Sequence, residues 1–323
     1  MRMPRRARRG QEASYHCMSR TVAGQSLFGS AEREFFRTLL RKLALFCQVV
    51  VIDFTCLSNH FHVIVQIPAQ VQMDDHQLLA SLERFYGPEH AKTLAFAKAL
   101  ADPDASLLEQ LRHGYLKRMG DLSIFFKELK ERFSKWFNRV HERFGTLWAE
   151  RFKSVFIAND TTVILNVAMY VDLNACRAGM SPRPEEYPHG ALWEALERDG
   201  PARQAFAKLL PGTTWEEKWA WYQQRLYARG ACPTKSGQAA LDPEEVYKVF
   251  QAGGKLTFAE MLHLKVVAFT EGIAIGRQGF LDEIAELHRT ARRAGHAMPG
   301  VEEDGILSFK KIKVPVMIPV PRK

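Results

Sequence analysis

Residues 57–68 read LSNHFHVIVQIP. Ser58 and Asn59 form turns readily, His60 to Ile67 alternate and then run apolar, and Pro68 stops the run. The segment therefore predicts a β-strand entered through a tight turn. Successive strand side chains point to opposite faces, so His60 and His62 stand side by side on one face. One strand histidine is ordinarily a hydrogen-bonded, half-buried side chain. Two at i and i+2 bring two imidazoles, the commonest protein metal ligands near neutral pH, to one place. Because His-x-His is a short pattern, the reading needs a third partner elsewhere in the chain.

Working outward, VVVIDFTCL (49–57) is rich in β-branched and aromatic residues and predicts a strand paired with the histidine strand as an antiparallel hairpin. Before it, residues 31–48 space Phe35, Phe36, Leu39, Leu40, Leu43 and Phe46 at a helical period, and SYHCMSR (14–20) reads as a short strand. Beyond it, residues 121–145 carry Leu122, Phe125, Phe126, Leu129, Phe133, Trp136, Phe137, Val140 and Phe144 on one helical stripe, with Asp121 as N-cap and Gly145 as stop. A further strand falls near residues 153–158. The order strand, helix, strand, strand, helix, strand predicts an α+β fold: a ferredoxin-like split βαβ domain with a four-stranded antiparallel sheet and helices on one face. Residues 69–119 interrupt it as a helical insertion over one edge of the core.

The third partner comes from residues 160–180, DTTVILNVAMYVDLNACRAGM, a helix capped by Asp160. Ile164, Val167, Ala168, Val171 and Ala175 form its apolar stripe, while Asn166, Tyr170, Asn174 and Arg177 form a second, polar line. Tyr-x-x-x-Asn brings a phenol and an amide oxygen together, one turn apart. A divalent cation held by His60, His62 and the Asn174 oxygen would keep its full charge for a phosphodiester and sites open for substrate oxygens. Tyr170 is then the nucleophile. A free phenol has a pKa of about 10, so the site must assist its deprotonation. A covalent phosphotyrosine would conserve the energy of the broken bond for rejoining.

The whole chain agrees with a polyanionic partner. It has 323 residues, 25% charged and 46% hydrophobic, with a formal net charge of +9 and a pI of about 9.3. That excess of Lys and Arg favours nucleic acid first and an anionic membrane surface second. No apolar run reaches the roughly 20 residues needed to span a bilayer, and the basic start MRMPRRARRG lacks the apolar segment of a secretory signal. Five scattered cysteines, Cys17, Cys47, Cys56, Cys176 and Cys232, include no Cys-x-x-Cys pair, which argues against a zinc site and for a reducing cytoplasm; with a DNA partner the expected place is the cytoplasm, in association with the nucleoid.

NHFHVIV, GTLWAERFKSVFI and MYVDLNACRAGM, in this order, resemble the single-tyrosine HUH transposases, and within them the REP-associated tyrosine transposases, domesticated relatives of insertion-sequence transposases. The resemblance covers roughly residues 12–190 and implies a Mg²⁺ or Mn²⁺ ion. It also implies cutting and rejoining of single-stranded DNA beside hairpins, through a 5′-phosphotyrosine. It makes His60 and His62 metal ligands, Asn174 the third ligand and Tyr170 the nucleophile. Members often act as homodimers, some with the tyrosine helix donated in trans.

Several residues keep two readings each. Arg5 and Arg6 belong to a basic arm (1–11) that is either a DNA contact or a solvated tail. Arg151 and Lys153 lie against the DNA backbone near the cut or at a solvated strand end. Arg177 reaches a phosphate or binds the last carbonyls of its own helix. Residues 191–240 predict a helical extension and linker, and 241–323 a mostly helical C-terminal region with a basic tail, either a small DNA-binding module or helices packed on the core. The alternative function is a catalytically retired, domesticated DNA-binding or regulatory protein on the same fold. A replication initiator or relaxase, with its usual second tyrosine, and an RNA-binding domain, with exposed aromatics on its central strands, match less well.

Overall fold

The computed structural model describes residues 11–231, 239–253, 272–276, 299–303 and 306–310. A three-residue link, 57–59, joins β2 (Val50–Cys56) to β3 (His60–Ile67) as an antiparallel hairpin. The Leu57 N–H donates to the His60 carbonyl at 2.8 Å and closes the turn. On the other side of β3 lies β1 (Ala13–Arg20), and beyond β1 lies β4 (Lys153–Ile157), both pairings antiparallel. In space the strands run β2-β3-β1-β4. In the chain, α1 (Ser30–Cys47) separates β1 from β2, and α5 (Leu122–Val140) lies between β3 and β4.

The two faces of this sheet differ in chemistry. Tyr15, Cys17, Phe54, Phe61 and Val63 are buried on one face. There Phe36 of α1 and Phe126 of α5 approach the Phe61 ring at 4.8 and 6.2 Å between centroids. Burying such side chains stabilises the fold by about 1.5–3 kcal/mol each. The other face carries buried polar groups, Ser14, His16, Asp53, Thr55 and His62, and α6 (Thr161–Asp172) covers it. Asp160 starts α6 by accepting hydrogen bonds from the Thr162 and Val163 N–H groups.

The insertion is helical as expected: α2 (Asp75–Tyr86), α3 (Ala91–Ala101) and α4 (Ala105–Leu116). It docks on the end of α1, where the Phe46 and Phe85 rings stack at 4.5 Å. Two helix ends depart from expectation. The helix predicted to reach Gly145 stops at Val140, because His141 turns its Nε2 to the Glu32 carboxylate at 3.0 Å and Glu142 is left-handed (φ 47°). The helix predicted over 160–180 breaks at Leu173 into α6 and α7 (Asn174–Arg177).

After α7 come α8 (Ala191–Glu197), α9 (Pro201–Leu209), α10 (Trp215–Gly230) and α11 (Pro243–Gly253). Of the region expected to be mostly helical, 241–323, the described residues past α11 form strands. Here β5 (Gly272–Gly276) pairs in parallel with β4, and β6 (Pro299–Glu303) and β7 (Ile306–Lys310) continue the sheet in the order β5-β7-β6. The sheet thus has seven described strands rather than four. The physical reason is the open edge of β4, whose unpaired backbone groups accept another strand. The GIAIG segment, isoleucines alternating with small residues, supplies one. The basic arm and most of the basic tail lie outside the described residues.

Candidate active site

The hairpin places His60 and His62 on the polar face with ring centroids 5.0 Å apart. Local hydrogen bonding fixes which nitrogen His60 presents. Asn59 Nδ2 donates to the Gly24 carbonyl at 2.9 Å, so Asn59 Oδ1 is the atom 2.6 Å from His60 Nδ1. An amide oxygen only accepts, so His60 Nδ1 carries the proton and Nε2 the lone pair. His62 Nδ1 lies 2.9 Å from Nε2 of a third histidine, His16 on β1, and the two rings stack at 5.1 Å. With the proton on His62 Nδ1, its Nε2 also presents a lone pair. Burial, reinforced by the nearby Arg20 charge, lowers His60 to about 4. Burial and then the charges of His60, His16 and Arg20 hold His62 well below the usual imidazole range. Both rings are therefore neutral at pH 7.

Tyr170, on the last turn of α6, sets its ring edge-on against the same pair, 5.7 Å from His62 and 6.0 Å from His16 between centroids. The contact is made within one chain. Arg177 also approaches the phenol ring, its guanidinium carbon 5.8 Å from the ring centre. Its terminal nitrogens engage none of the helix-end carbonyls that the sequence allowed as partners. Asn174 turns its Nδ2 back to the Tyr170 carbonyl at 2.7 Å, which leaves Oδ1 as its acceptor. Among the described residues no contact joins Asn174 to either histidine. Asn166, on the same predicted polar line, turns to α10: its Oδ1 accepts from Arg229 at 3.2 Å.

Beneath α6 lies a buried carboxylate pair. Asp53 of β2 is fully buried, and neither carboxylate oxygen has a hydrogen-bond partner. Burial first and Asp172 second push its pKa well up, against smaller pulls from the Phe54 N–H and Arg41. Asp172, near the end of α6, accepts from the Tyr222 hydroxyl of α10 at 2.6 Å. Burial raises it to about 7, with the Tyr222 bond opposing.

Of the basic residues singled out from sequence, Lys153 lies in the strand row Thr55–His62–Met18–Lys153, on the histidine face, and pairs with Glu150 at 3.3 Å. Arg151 is exposed just before β4. Arg5 and Arg6 lie outside the described residues. Sequence reasoning missed His16 and Arg20. The only signal for them was alternation in SYHCMSR, which does not say which face meets the histidine strand.

Two imidazole Nε2 atoms, each with its other nitrogen held by a neighbour in the way metal-binding histidines are commonly oriented, could serve a divalent cation, while the Asn174 amide oxygen lies one helical turn beyond Tyr170 and is not in contact with them. Among the described residues no three His, Cys, Asp or Glu side chains gather into a metal cluster, so the remaining donors would be neutral oxygens. No helix among the described residues is long and apolar enough to cross a membrane.

No family model matches the chain, and no curated protein does. Among solved structures, the chain is similar to one described as the REP associates tyrosine transposase bound to a REP hairpin. The likeness has 14% identity and a TM-score of 0.38, over 61% of this chain and 87% of that one.

Proposed function

We propose that the protein is a metal-dependent tyrosine transesterase of the HUH type. In this reading it cuts and rejoins single-stranded, hairpin-associated DNA through a 5′-phosphotyrosine, as REP-associated tyrosine transposases do. The observation that carries the reading is the Tyr170 ring set against His62 at 5.7 Å, on a face where His60 also offers its Nε2. The strand order β2-β3-β1-β4 around the split βαβ connections supports a ferredoxin-like core.

His60, His62 and the Asn174 oxygen would hold Mg²⁺ or Mn²⁺, which when bound supplies charge to polarise the phosphoryl group. Tyr170 Oη attacks phosphorus and gives up its proton. The bond from phosphorus to the 3′ oxygen breaks, and the leaving strand takes up a proton as a 3′-hydroxyl. A second 3′-hydroxyl reverses the exchange and restores the phenol. Arg20, Lys153 and Arg177 surround the site with positive charge for the backbone. Arg151, Arg5 and Arg6 extend the DNA contacts, and a homodimer is the expected assembly.

One observation favours the retired, DNA-binding alternative: Asn174 does not reach the histidines. A single experiment separates the two. Wild type and Tyr170→Phe are incubated with labelled single-stranded hairpin DNA from the flanks of the gene, with Mn²⁺ or with EDTA, and run on a denaturing gel. The expected result is a protein–DNA adduct that needs both Tyr170 and metal. Cutting that survives Tyr170→Phe would move the chemistry to an activated water. Tight binding without cutting would leave the alternative.

A further inference from the structure

Arg177 is only 9% exposed, and both terminal nitrogens, Nη1 and Nη2, are buried with no hydrogen-bond partner. Among the described residues no carboxylate pairs with it. The Tyr170 ring stands 5.8 Å from the guanidinium carbon. A buried guanidinium without an anion is a costly arrangement, and a ring face offsets only part of the cost. By contrast, Arg37 and Arg41 meet the buried Glu194, and Arg118 meets Glu128. The unmatched fork lies beside the candidate nucleophile. A guanidinium fork presents two parallel donors whose spacing matches two oxygens of one phosphate. Exposed Lys153 and Arg151 can tether a backbone but cannot fix one phosphate to this degree.

We propose that Arg177 becomes the receptor for one phosphate of the bound strand: the side chains over it shift, and Nη1 and Nη2, closed to solvent in the free protein, take the two non-bridging oxygens beside Tyr170. The strand's identity rests on the function proposed above, whereas the anion seat does not. Arg177 thereby selects which phosphate faces the phenol, and the position of the cut follows from this side chain.

The test uses the full chain as wild type, Arg177→Met and Arg177→Lys, in EDTA so that nothing is cut. In the first arm, thermal unfolding is followed in sodium phosphate and in sodium chloride of equal ionic strength. Phosphate is expected to raise the wild-type Tm, to raise that of Arg177→Lys less, and to leave Arg177→Met unmoved. Without phosphate, Arg177→Met should unfold at or above the wild-type temperature, because an unpaired buried charge has gone. In the second arm, fluorescence anisotropy follows flank-derived single-stranded DNA carrying one methylphosphonate at successive positions. Wild type should lose about tenfold in affinity at one position, where Arg177→Met is indifferent. The salt dependence of log K should be shallower by about 0.7 in the variant.

The proposal falls if phosphate acts no differently from chloride on the wild type. It falls equally if the methylphosphonate profiles of wild type and Arg177→Met coincide while DNA still binds, a result that leaves the DNA reading standing. If phosphate protects through Arg177 but no flank DNA binds, the anion seat stands and the single-stranded DNA reading fails.

Discussion

Asn59 and His16 decide how the two central imidazoles face the site. The Asn59 amide is fixed by the Gly24 carbonyl and so fixes the His60 tautomer; His16 meets His62 Nδ1 at 2.9 Å. Removal of such an outer partner commonly costs 10–100-fold in metal affinity. His16→Leu is therefore expected to weaken Mn²⁺ binding by about that factor, read by electron paramagnetic resonance without DNA. Thermal unfolding of the same variant separates a loss of packing from a loss of orientation. Unchanged Mn²⁺ affinity would reduce His16 to a packing residue. At this scale the i, i+2 histidines and the Tyr-x-x-x-Asn spacing were legible, because they are local. His16 was not, since its contact spans 46 residues and depends on the β1–β3 register, Met18 opposite His62. Arg177 was legible as a basic residue near Tyr170, but the absence of an anion beside it is a property of the folded interior.

At the scale of the element, α6 is held between a polar sheet face and α10. Apolar periodicity announced the helix but not the break at Leu173, where neither proline nor glycine stands. The Asn174 side chain takes the Tyr170 carbonyl, a bond that competes with the backbone ladder and helps end the helix there. The buried pair Asp53 and Asp172 was invisible for the same reason as His16: each lies within an apolar run, on elements that meet only in three dimensions. Both carboxyls are pushed up from the usual range, Asp172 to about 7. The folded state thus binds more protons than the unfolded chain between about pH 4 and pH 7, and this pair makes stability fall as pH rises through that window. Asp53→Asn removes one of the two charges. Its stability relative to wild type should increase as pH rises above about 4, measured by urea unfolding across the range. An advantage that shrinks with rising pH would contradict the account. The histidines act with the opposite sign. His60, lowered to about 4, favours the fold at neutral pH and loses that contribution as pH falls from the ordinary imidazole value toward 4, so only the difference between variant and wild type isolates the carboxylates.

Across the whole molecule, one apolar core runs from Ala13 to Leu241. The alternating and helical periods made the βαββαβ order legible, since each element carries its own stripe. They also suggested a catalytic domain over 12–190 followed by a separate extension. Amphipathic stripes in 191–240 declare that those helices pack, not what they pack on. In the fold α8 and α9 pack on β2, and α10 closes the back of α6. Tyr222 and Arg229 of α10 hydrogen-bond to Asp172 and to the Asn166 carbonyl, and Leu192, Phe206, Tyr222, Leu226 and Tyr227 are buried in the same core as the sheet. Five such side chains contribute roughly 8–15 kcal/mol of burial, comparable with the 5–15 kcal/mol net stability of a typical domain. A chain ending at residue 190 would also leave Asp172 and the underside of α6 open to water. It is therefore expected to lose cooperative thermal unfolding, seen as a broad or absent calorimetric transition, and to bind Mn²⁺ no better than a His60→Ala, His62→Ala control. A sharp transition with metal binding intact would show that 12–190 folds alone, and that α10 only decorates the helix carrying Tyr170.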